Sequence, residues 1–505
     1  MVLLKLVKLL TLIKRANNLL FALLFFSLIS AGNLINIDGN FEDWELISPI
    51  TIDDEGDGLG ADFYQLKITF DNEFLFIYLN FYSGEFLMQN WNEFHLYIDS
   101  DNDSSTGYPQ NGLGSELVWN FGSRLGYTYI NGQQSEIYQN DLILRIAPTV
   151  TSSEFEIAIA RESSALTLNG TQPFMNGNLF ISEMEDDGDF IPSEPGGISF
   201  VINDSLIMGP VPINLERFQD EDIRLVSYNT LNEGIIDNDR QVYFKRVLQM
   251  IDPDIIVLQE HQDWEYIGDI IQSWFPNESW NSSWTYNDLV ILSRFSIIND
   301  VMMNSGRTMA ALLDTEDELG SNLLIFNSHL SCCDNNEDRQ NQVDTFTQEW
   351  REWVNNQSGP FEIEYGIPFV HAGDFNFVGY KEQVETIRIG DIINEVQYGN
   401  DFFPDWGMSE LTDASPHHSH KRMGYTWRND ASSFNPGKLD YIFYSSTSIF
   451  SRNNYILNTL SMNDLELDDY GLQREDTQNA SDHLPIIFDI LTNQSMKISK
   501  NKIIP

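Results

Sequence analysis

The sequence predicts a two-domain protein: an all-β sandwich followed by a layered α/β domain whose helices pack outside its sheets. Three observations support this prediction. The 505 residues exceed the usual size of one domain, and apolar residues make up 42% of them, enough for two cores. The first half contains short strand-like segments without a long helical period. In the second half, compact apolar strands alternate with helical segments.

The first segment of the chain is typical of a secretory signal. Residues 1–18 carry four basic side chains and no acidic ones, and 13 apolar or small residues follow, from Leu19 to Ala31. A membrane-spanning helix needs about 20 such residues. We therefore expect residues 1–32 to be removed as a signal peptide and the mature protein, which has no second long apolar run, to be secreted or periplasmic without a membrane span.

Residues 33–205 are predicted to form the β-sandwich. Strand-like segments such as "EFLFIYLNFY" and "EFEIAIARES" are rich in aromatic and β-branched residues and are separated by turn residues. The turn "YIDSDNDSSTG" places Asp99, Asp101 and Asp103 at alternate positions, which makes them candidate Ca²⁺ ligands, although the spacing departs from the EF-hand pattern. A plain acidic turn is the alternative.

The chain is strongly acidic. It has 76 Asp and Glu against 28 Lys and Arg, a net charge of −48. Such a surface repels phosphate backbones and offers no electrostatic footprint for duplex nucleic acid. Residues 206–221, with two prolines in "MGPVPIN", are predicted to be a linker, and residues 493–505 a tail.

Residues 222–492 are predicted to form the second domain, where polar residues stand at the ends of six apolar strands. Asp and Asn commonly stop strands, so each one alone has a structural explanation. Together they have complementary chemistry, and strand ends can present side chains into a shared cleft. They are Asn229, Glu260, His329, Asp374, Asn376, Asp440, Asp482 and His483.

Hydrolysis of a phosphoester needs the kinds of side chain that stand at these positions. Mg²⁺ prefers oxygen ligands, which Glu260, Asn229 and Asp482 could supply. A carboxylate such as Asp374 could activate a water molecule. Donors such as Asn376, His329 and His483 could stabilise developing negative charge, with Asp440 as the carboxylate free to hold a histidine.

The motifs "SYNTL", "VLQE", "NSHL", "GDFN", "KLDYIF" and "SDHLP", in this order, resemble the endonuclease/exonuclease/phosphatase superfamily over about residues 222–492. The resemblance implies a four-layered α/β sandwich, two packed sheets with outer helices. It also implies a Mg²⁺- or Mn²⁺-dependent hydrolase acting on phosphoester bonds. The motif set is complete, which argues against a protein that has lost activity.

The resemblance also implies a role for each motif residue. Glu260 is then the principal metal ligand, supported by Asn229, and Asp482 lies beside the metal. Asp374 aligns the attacking water, with Asn376 beside it. His483 pairs with Asp440, and His329 contacts the scissile phosphate.

Weaker signals surround these motifs. Arg294, Arg307 and Trp427 are candidate substrate-binding residues, although a local salt bridge is an equal explanation for either arginine. The only two cysteines, Cys332 and Cys333, are adjacent, and the sequence leaves open whether they are bridged.

We expect a secreted phosphodiesterase with nucleic acid as its leading substrate. The alternatives are a phospholipid or sphingomyelin phosphodiesterase and a sugar or inositol phosphate phosphatase. The first domain weakly resembles family 9 carbohydrate-binding modules, in "IDGNFEDW" and "YIDSDND". A polysaccharide-binding, adhesin-like protein without catalysis is therefore the non-enzyme alternative.

Overall fold

A computed structural model describes residues 35–58, 60–163, 176–184, 188–202, 211–262, 264–284, 287–356 and 358–493. The predicted signal peptide, the first part of the predicted linker and nearly all of the predicted tail lie outside these ranges. None of the helices in the described part of the chain is long and apolar enough to cross a membrane.

The first domain is an antiparallel β-sandwich, as predicted. One sheet has the strand order β1-β2-β3-β11-β10, and the other has the order β13-β12-β4-β7-β8-β9 with β14 beside β12. The strands are β1 (Thr51–Ile52), β2 (Asp62–Phe70), β3 (Phe74–Ser83), β4 (His95–Asp99), β5 (Tyr108–Gln110), β6 (Leu113–Ser115), β7 (Leu117–Asn120), β8 (Leu125–Ile130), β9 (Gln133–Ile137), β10 (Arg145–Ala147), β11 (Glu154–Ala160), β12 (Asn176–Ser182), β13 (Phe190–Ile191) and β14 (Ile198–Val201).

The second domain contains two six-stranded sheets packed face to face. Their strand orders are β17-β18-β16-β15-β26-β25 and β19-β20-β21-β22-β24-β23. The strands are β15 (Ile223–Asn229), β16 (Ile255–Gln259), β17 (Asn281–Trp284), β18 (Val290–Ser293), β19 (Ile297–Met302), β20 (Thr308–Leu313), β21 (Leu323–His329), β22 (Phe369–Asp374), β23 (Thr412–Asp413), β24 (Asp440–Tyr444), β25 (Ser451–Ile456) and β26 (Ile486–Ile490).

Helices cover the outer faces of both sheets, which completes the four predicted layers. Strand residues alternate between the two faces, so Leu225 packs between the sheets while Val226 packs under the outer helices. The α-helices are Gln139–Leu142, Gln241–Ile251, Trp264–Trp274, Glu316–Leu319, Asn336–Asn356, Glu382–Ile389, Glu395–Tyr398, Asp464–Tyr470 and Asp476–Ala480, and Glu42–Trp44 and Thr459–Ser461 are 3₁₀ turns.

One apolar cluster extends across both domains, beside the separate core of the sandwich. On β3, Leu75 and Ile77 point into the sandwich, whereas Phe76 and Tyr78 on the opposite face join a buried cluster that continues into the second domain. Met423 and the sheet residues of the second domain belong to the same cluster. The first domain is therefore packed against the second rather than tethered to it.

Candidate active site

Four polar residues lie at the same end of the strands of the first six-stranded sheet. Strands β15 and β16 are parallel, and β18 and β26 are antiparallel to them. The carboxyl ends of the first pair therefore lie beside the amino ends of the second pair. This places Asn229, Glu260, Asp288 and His483 at the same end of the sheet.

The facing sheet brings three more polar residues to the same end of the domain. In the strand register, His329 of β21 lies opposite Asp374 of β22, and Asp374 lies opposite Asp440 of β24. Gly373 permits the close approach of β21 and β22, because a Cβ at this position would lie 2.1 Å from the carbonyl oxygen of Ser328. The "GDFN" glycine is thus required by packing beside the site.

Each active-site histidine is held by a carboxylate through Nδ1. His483 Nδ1 lies 2.8 Å from Asp440 Oδ2, and His329 Nδ1 lies 2.9 Å from Asp288 Oδ2. The free Nε2 of each ring lies 3.8 Å from the same atom, Asp374 Oδ2. The two imidazoles therefore both face one carboxylate, and in the imidazolium form each donates an Nδ1–H to its own carboxylate and points an Nε2–H towards Asp374.

Burial and the neighbouring charges shift the pKa values of both histidines and of Asp374. Burial disfavours the imidazolium of His483, but Asp440 and Asp374 outweigh this effect and raise the pKa of His483 above its usual value. The pKa of His329 is raised for the same reason, since the carboxylates of Asp288 and Asp374 overcome its desolvation. Burial also raises the pKa of Asp374, and the nearby Asp440 carboxylate adds to this rise. A carboxylate and two donors of this kind suit proton transfer near neutral pH.

A second group of donors could hold a metal ion. One ligand atom from each of Glu260, His329 and Asp374 lies within 4.8 Å of the other two. Asn229 Nδ2 donates to Glu260 Oε1 at 3.1 Å and to Asp374 Oδ2 at 3.0 Å. Its Oδ1, the atom that a cation would need, accepts from the N–H of Leu231. In this arrangement Asn229 orients the two carboxylates.

Asp482, the third predicted metal ligand, lies outside the group formed around Glu260. Its Oδ2 accepts a hydrogen bond from the indole of Trp427 at 3.0 Å. Its Oδ1 is buried and has no hydrogen-bond partner in the described part of the chain. Both residues line the cleft, and Trp427, a candidate for substrate binding, holds the predicted ligand Asp482 in place.

The backbone is strained at two of the site residues themselves. Glu260 and Asn376 have φ values of +56° and +51°, a region that non-glycine residues rarely adopt. The N–H of Asn376 donates to Asp374 Oδ1 at 3.0 Å, and its side-chain Nδ2 donates to the carbonyl of Leu330. Asn376 therefore fixes the Asp374 carboxylate directly.

Two residues of the site are absent from the sequence prediction. Asp288, the partner of His329, precedes β18 in "NDLVIL", so the strand-end pattern could have included it. Ser481 donates from Oγ to the carbonyl of Asn229 at 2.9 Å and accepts from the N–H of His483. Its contact ties the "SDH" segment to β15 and has no signal in the sequence beyond the motif itself.

A cleft of about 950 Å³ is lined by seven of the site residues, which are Glu260, Asp288, His329, Asp374, Asn376, Asp482 and His483. Its lining contains six carboxylate side chains and, among the described residues, no lysine or arginine. Cys332 and Cys333 also line it, and both are free thiols in the structure. The acidic residues of the lining are Glu233, Glu260, Asp288, Asp334, Asp374 and Asp482.

The two candidate arginines lie in different surroundings. Arg294 does not line the cleft and forms salt bridges with Asp252 and Asp254, the structural explanation that the sequence also offers for this residue. The backbone carbonyl of Arg307 accepts from the N–H of His329, which places Arg307 directly before β20 and beside the site. Its side chain is not part of the cleft lining.

In the acidic turn of the first domain, the carboxylates that lie close together are not the three that were predicted. Ligand atoms of Asp99, Asp101 and Glu116 lie within 4.8 Å of one another. Asp103 is outside this group because its Oδ1 accepts from the N–H and hydroxyl of Ser105, which closes the turn. The candidate Ca²⁺ set is thus corrected from Asp103 to Glu116.

Comparison with known proteins identifies the second domain. Residues 226–483, about half of the chain, match the model of the Endonuclease/Exonuclease/phosphatase family. Comparison with curated proteins finds no match.

Several solved structures are similar to this part of the chain. The human Nocturnin catalytic domain is 18% identical, with 54% of this chain and 95% of that chain covered and a TM-score of 0.36. ANGEL2, described as a 2',3'-cyclic phosphatase, is 17% identical over 53% of this chain and 95% of that chain, with a TM-score of 0.35. TDP2 from D. rerio, in complex with single strand DNA product, is 16% identical over 54% of this chain and 99% of that chain, with a TM-score of 0.34.

Proposed function

The chain belongs to the Endonuclease/Exonuclease/phosphatase family and is a phosphoester hydrolase, and from this premise we propose that it is a divalent-metal-dependent phosphodiesterase acting on nucleic acid. The observation that carries the proposal is the position of Asp374 between two carboxylate-held imidazoles, each with Nε2 at 3.8 Å. This arrangement places a proton acceptor and two donors side by side in the lining of the cleft.

The donor set fits a hard divalent cation, Mg²⁺ or Mn²⁺. Glu260 provides carboxylate oxygens, and the buried Asp482 Oδ1 and Asp288 Oδ1 lack hydrogen-bond partners among the described residues. We propose that Glu260 is the principal ligand. A bound cation would neutralise phosphate charge and favour ionisation of a coordinated water.

The protein groups divide the remaining chemistry among them. Asp374 accepts the proton of the attacking water, while Asn229 and the N–H of Asn376 hold its carboxylate in place. His483, held by Asp440, donates from Nε2 to the phosphate oxygens, and His329 does the same from the opposite side. The negative charge that develops on phosphorus oxygens is thus met by fixed donors in a buried site.

Hydrolysis assays on the purified protein test this proposal. The substrates are single-stranded DNA, duplex DNA, RNA, sphingomyelin and inositol phosphates, each with Mg²⁺ and with EDTA. We expect hydrolysis of single-stranded DNA or RNA that needs the metal and falls at least about 10³-fold in both Asp374→Asn and His483→Ala. Asp300→Asn, an exposed carboxylate on β19, is the matched control and should keep wild-type activity. Nucleic-acid hydrolysis that survives both active-site substitutions would contradict the proposal.

A phospholipid phosphodiesterase is the second candidate, and a specific surface favours it. Trp91 and Tyr380 are 59% and 45% exposed, with ring centroids 6.3 Å apart across the domain boundary. Exposed aromatic side chains of this kind can enter a membrane interface. Hydrolysis of sphingomyelin in vesicles, lost in Trp91→Ala, without hydrolysis of nucleic acid, would establish this candidate.

We also propose that the protein is exported. The basic and apolar composition of residues 1–31 supports this. Amino-terminal sequencing of the protein recovered from outside the cell should begin near residue 32.

A further inference from the structure

One wall of the catalytic cleft is built by the β-sandwich. Leu87, Gln89 and Asn90 of the first domain line the same cleft as Asp374 and His483. They follow β3 on a loop that reaches the second domain. The sandwich is therefore close enough to the catalytic centre to contact the substrate.

The sandwich also holds a loop of the second domain, residues 429–437, at the mouth of the cleft. Gln89 Oε1 accepts from the N–H of Asn435 at 2.8 Å. Arg124 Nη1 donates to the carbonyl of Gln89 at 2.6 Å, and its Nε donates to Ser433 Oγ at 3.3 Å. These contacts fix the positions of Phe434 and Asn435, the two residues between Ser433 and Pro436.

Both of those residues present unused binding groups to the cleft. Phe434 is 43% exposed, and the guanidinium of Arg124 lies 4.0 Å from its ring centroid, covering one face. The other face remains available for a planar group. Asn435 is 3% exposed and lines the cleft, yet its Oδ1 and Nδ2 have no hydrogen-bond partner in the described part of the chain. A buried amide without partners is costly unless a ligand or water satisfies it.

We propose that the sandwich and the 429–437 loop together form a nucleobase-binding subsite beside the catalytic centre, an inference that rests on the proposed function. Phe434 stacks on the base, and the amide of Asn435 offers one donor and one acceptor to the base edge. Arg124 and Gln89 are positioning residues for this pair. The absence of lysine and arginine from the described cleft lining means that binding through backbone phosphates is weak. Contacts to a base therefore provide the affinity and select single-stranded substrates, whose bases are free to stack.

The test compares a single-stranded oligonucleotide with the same oligonucleotide made abasic next to the scissile phosphate. KM and kcat are measured for wild type, Phe434→Ala, Phe434→Tyr and Arg124→Ala, with melting temperature as a check on folding. Phe450→Ala removes a phenyl ring that is 57% exposed and outside the cleft lining, and is the control.

We expect Phe434→Ala to raise KM about tenfold for the base-bearing substrate, with kcat nearly unchanged and no change for the abasic one. Phe434→Tyr should restore the wild-type KM, and Arg124→Ala should raise KM partially without lowering the melting temperature. Equal KM values of wild type for both oligonucleotides, or an unchanged KM in Phe434→Ala, would overturn the subsite and leave the proposed hydrolase intact. Hydrolysis of neither oligonucleotide, with activity on another phosphoester, would overturn both the subsite and the nucleic-acid substrate.

Discussion

Asp440 has no direct path to a substrate, because its buried carboxylate faces the ring of His483. We expect Asp440→Asn to lower kcat about 10²- to 10⁴-fold with little change in KM. An amide neither favours the same tautomer nor stabilises the imidazolium. Single-turnover hydrolysis measures the effect, and a normal melting temperature excludes misfolding. Full activity in Asp440→Asn would mean that His483 works without this partner.

A second buried histidine links stability to pH. His371 lies among aromatic rings, its Nε2 is 2.7 Å from Ser328 Oγ, and burial lowers its pKa to about 3. The unfolded chain binds a proton at this imidazole below about pH 6.5, whereas the folded chain does not. The stabilisation is therefore complete above about pH 6.5 and is lost as pH falls, by about 3 kcal/mol at pH 4.

His371→Leu should reduce this acid sensitivity, because Ser328 Oγ keeps its 2.7 Å bond to Thr308 and no ionisable group remains. Urea denaturation between pH 4 and pH 7 measures the free energy of unfolding of both proteins. The variant should show a shallower dependence on pH than wild type. Parallel curves would assign the acid sensitivity to other groups.

For single residues, the sequence predicts which side chains belong to the active site better than it predicts the contacts that they make. The strand-end pattern names Asp374, His483 and Asp440, which the fold brings together. It cannot show that Trp427 holds Asp482, because that contact depends on a loop path between distant segments. Arg294 stands out by composition alone, and its partners become visible only in the folded chain.

Among the elements, β15 and β26 are joined by a buried ion pair. Arg224 and Asp489 lie opposite each other in the antiparallel register, with Nε–Oδ1 and Nη2–Oδ2 distances of 2.7 and 2.8 Å. Arg224 also donates from Nη1 to the carbonyls of Leu215 and Ile251. This single side chain thus satisfies acceptors from three other segments of the chain.

Arg224→Ala should destabilise the protein by about 3 to 5 kcal/mol, because it leaves the Asp489 carboxylate buried without a partner. Asp489→Ala should cost a similar amount, and the double variant should cost less than the sum of the two. Denaturant unfolding of the four proteins gives the coupling free energy. Strict additivity would show that the pair does not act as a unit.

Elements with strong periodicity can be predicted, and those shaped by tertiary contacts cannot. The segment "NLLIFNSHLS" contains the apolar run from Leu323 to Phe326 and forms β21. In contrast, "RTMAALL" contains alanines with low strand preference, yet it forms β20 because its neighbours in the sheet bury it. The segment "GYTW" carries aromatic residues, but Trp427 makes only isolated bridges, to Gly437 and His483.

For the molecule as a whole, composition predicts two domains but not how they are joined. The apolar residues of β3 alternate between the sandwich core and the interface, a pattern that resembles an ordinary buried strand in sequence. Polar contacts reinforce the interface: Thr149 Oγ1 donates to the carbonyls of Phe377 and Lys438 at 3.0 and 3.1 Å. Both of these carbonyls belong to segments that flank the catalytic strands β22 and β24.

A shortened chain that begins at residue 211 should therefore fail to fold as a soluble enzyme. Its surface would expose Met423 and Tyr425, which are 3% and 8% exposed in the full chain. Large exposed apolar patches promote aggregation. We expect low soluble yield, strong binding of a hydrophobic dye and loss of hydrolysis. Supplying residues 33–205 as a separate chain should restore solubility and activity, because the missing contacts are non-covalent. A shortened chain that is monomeric and fully active would show that the shared apolar cluster is dispensable, and would return the sandwich to the role of a separate module.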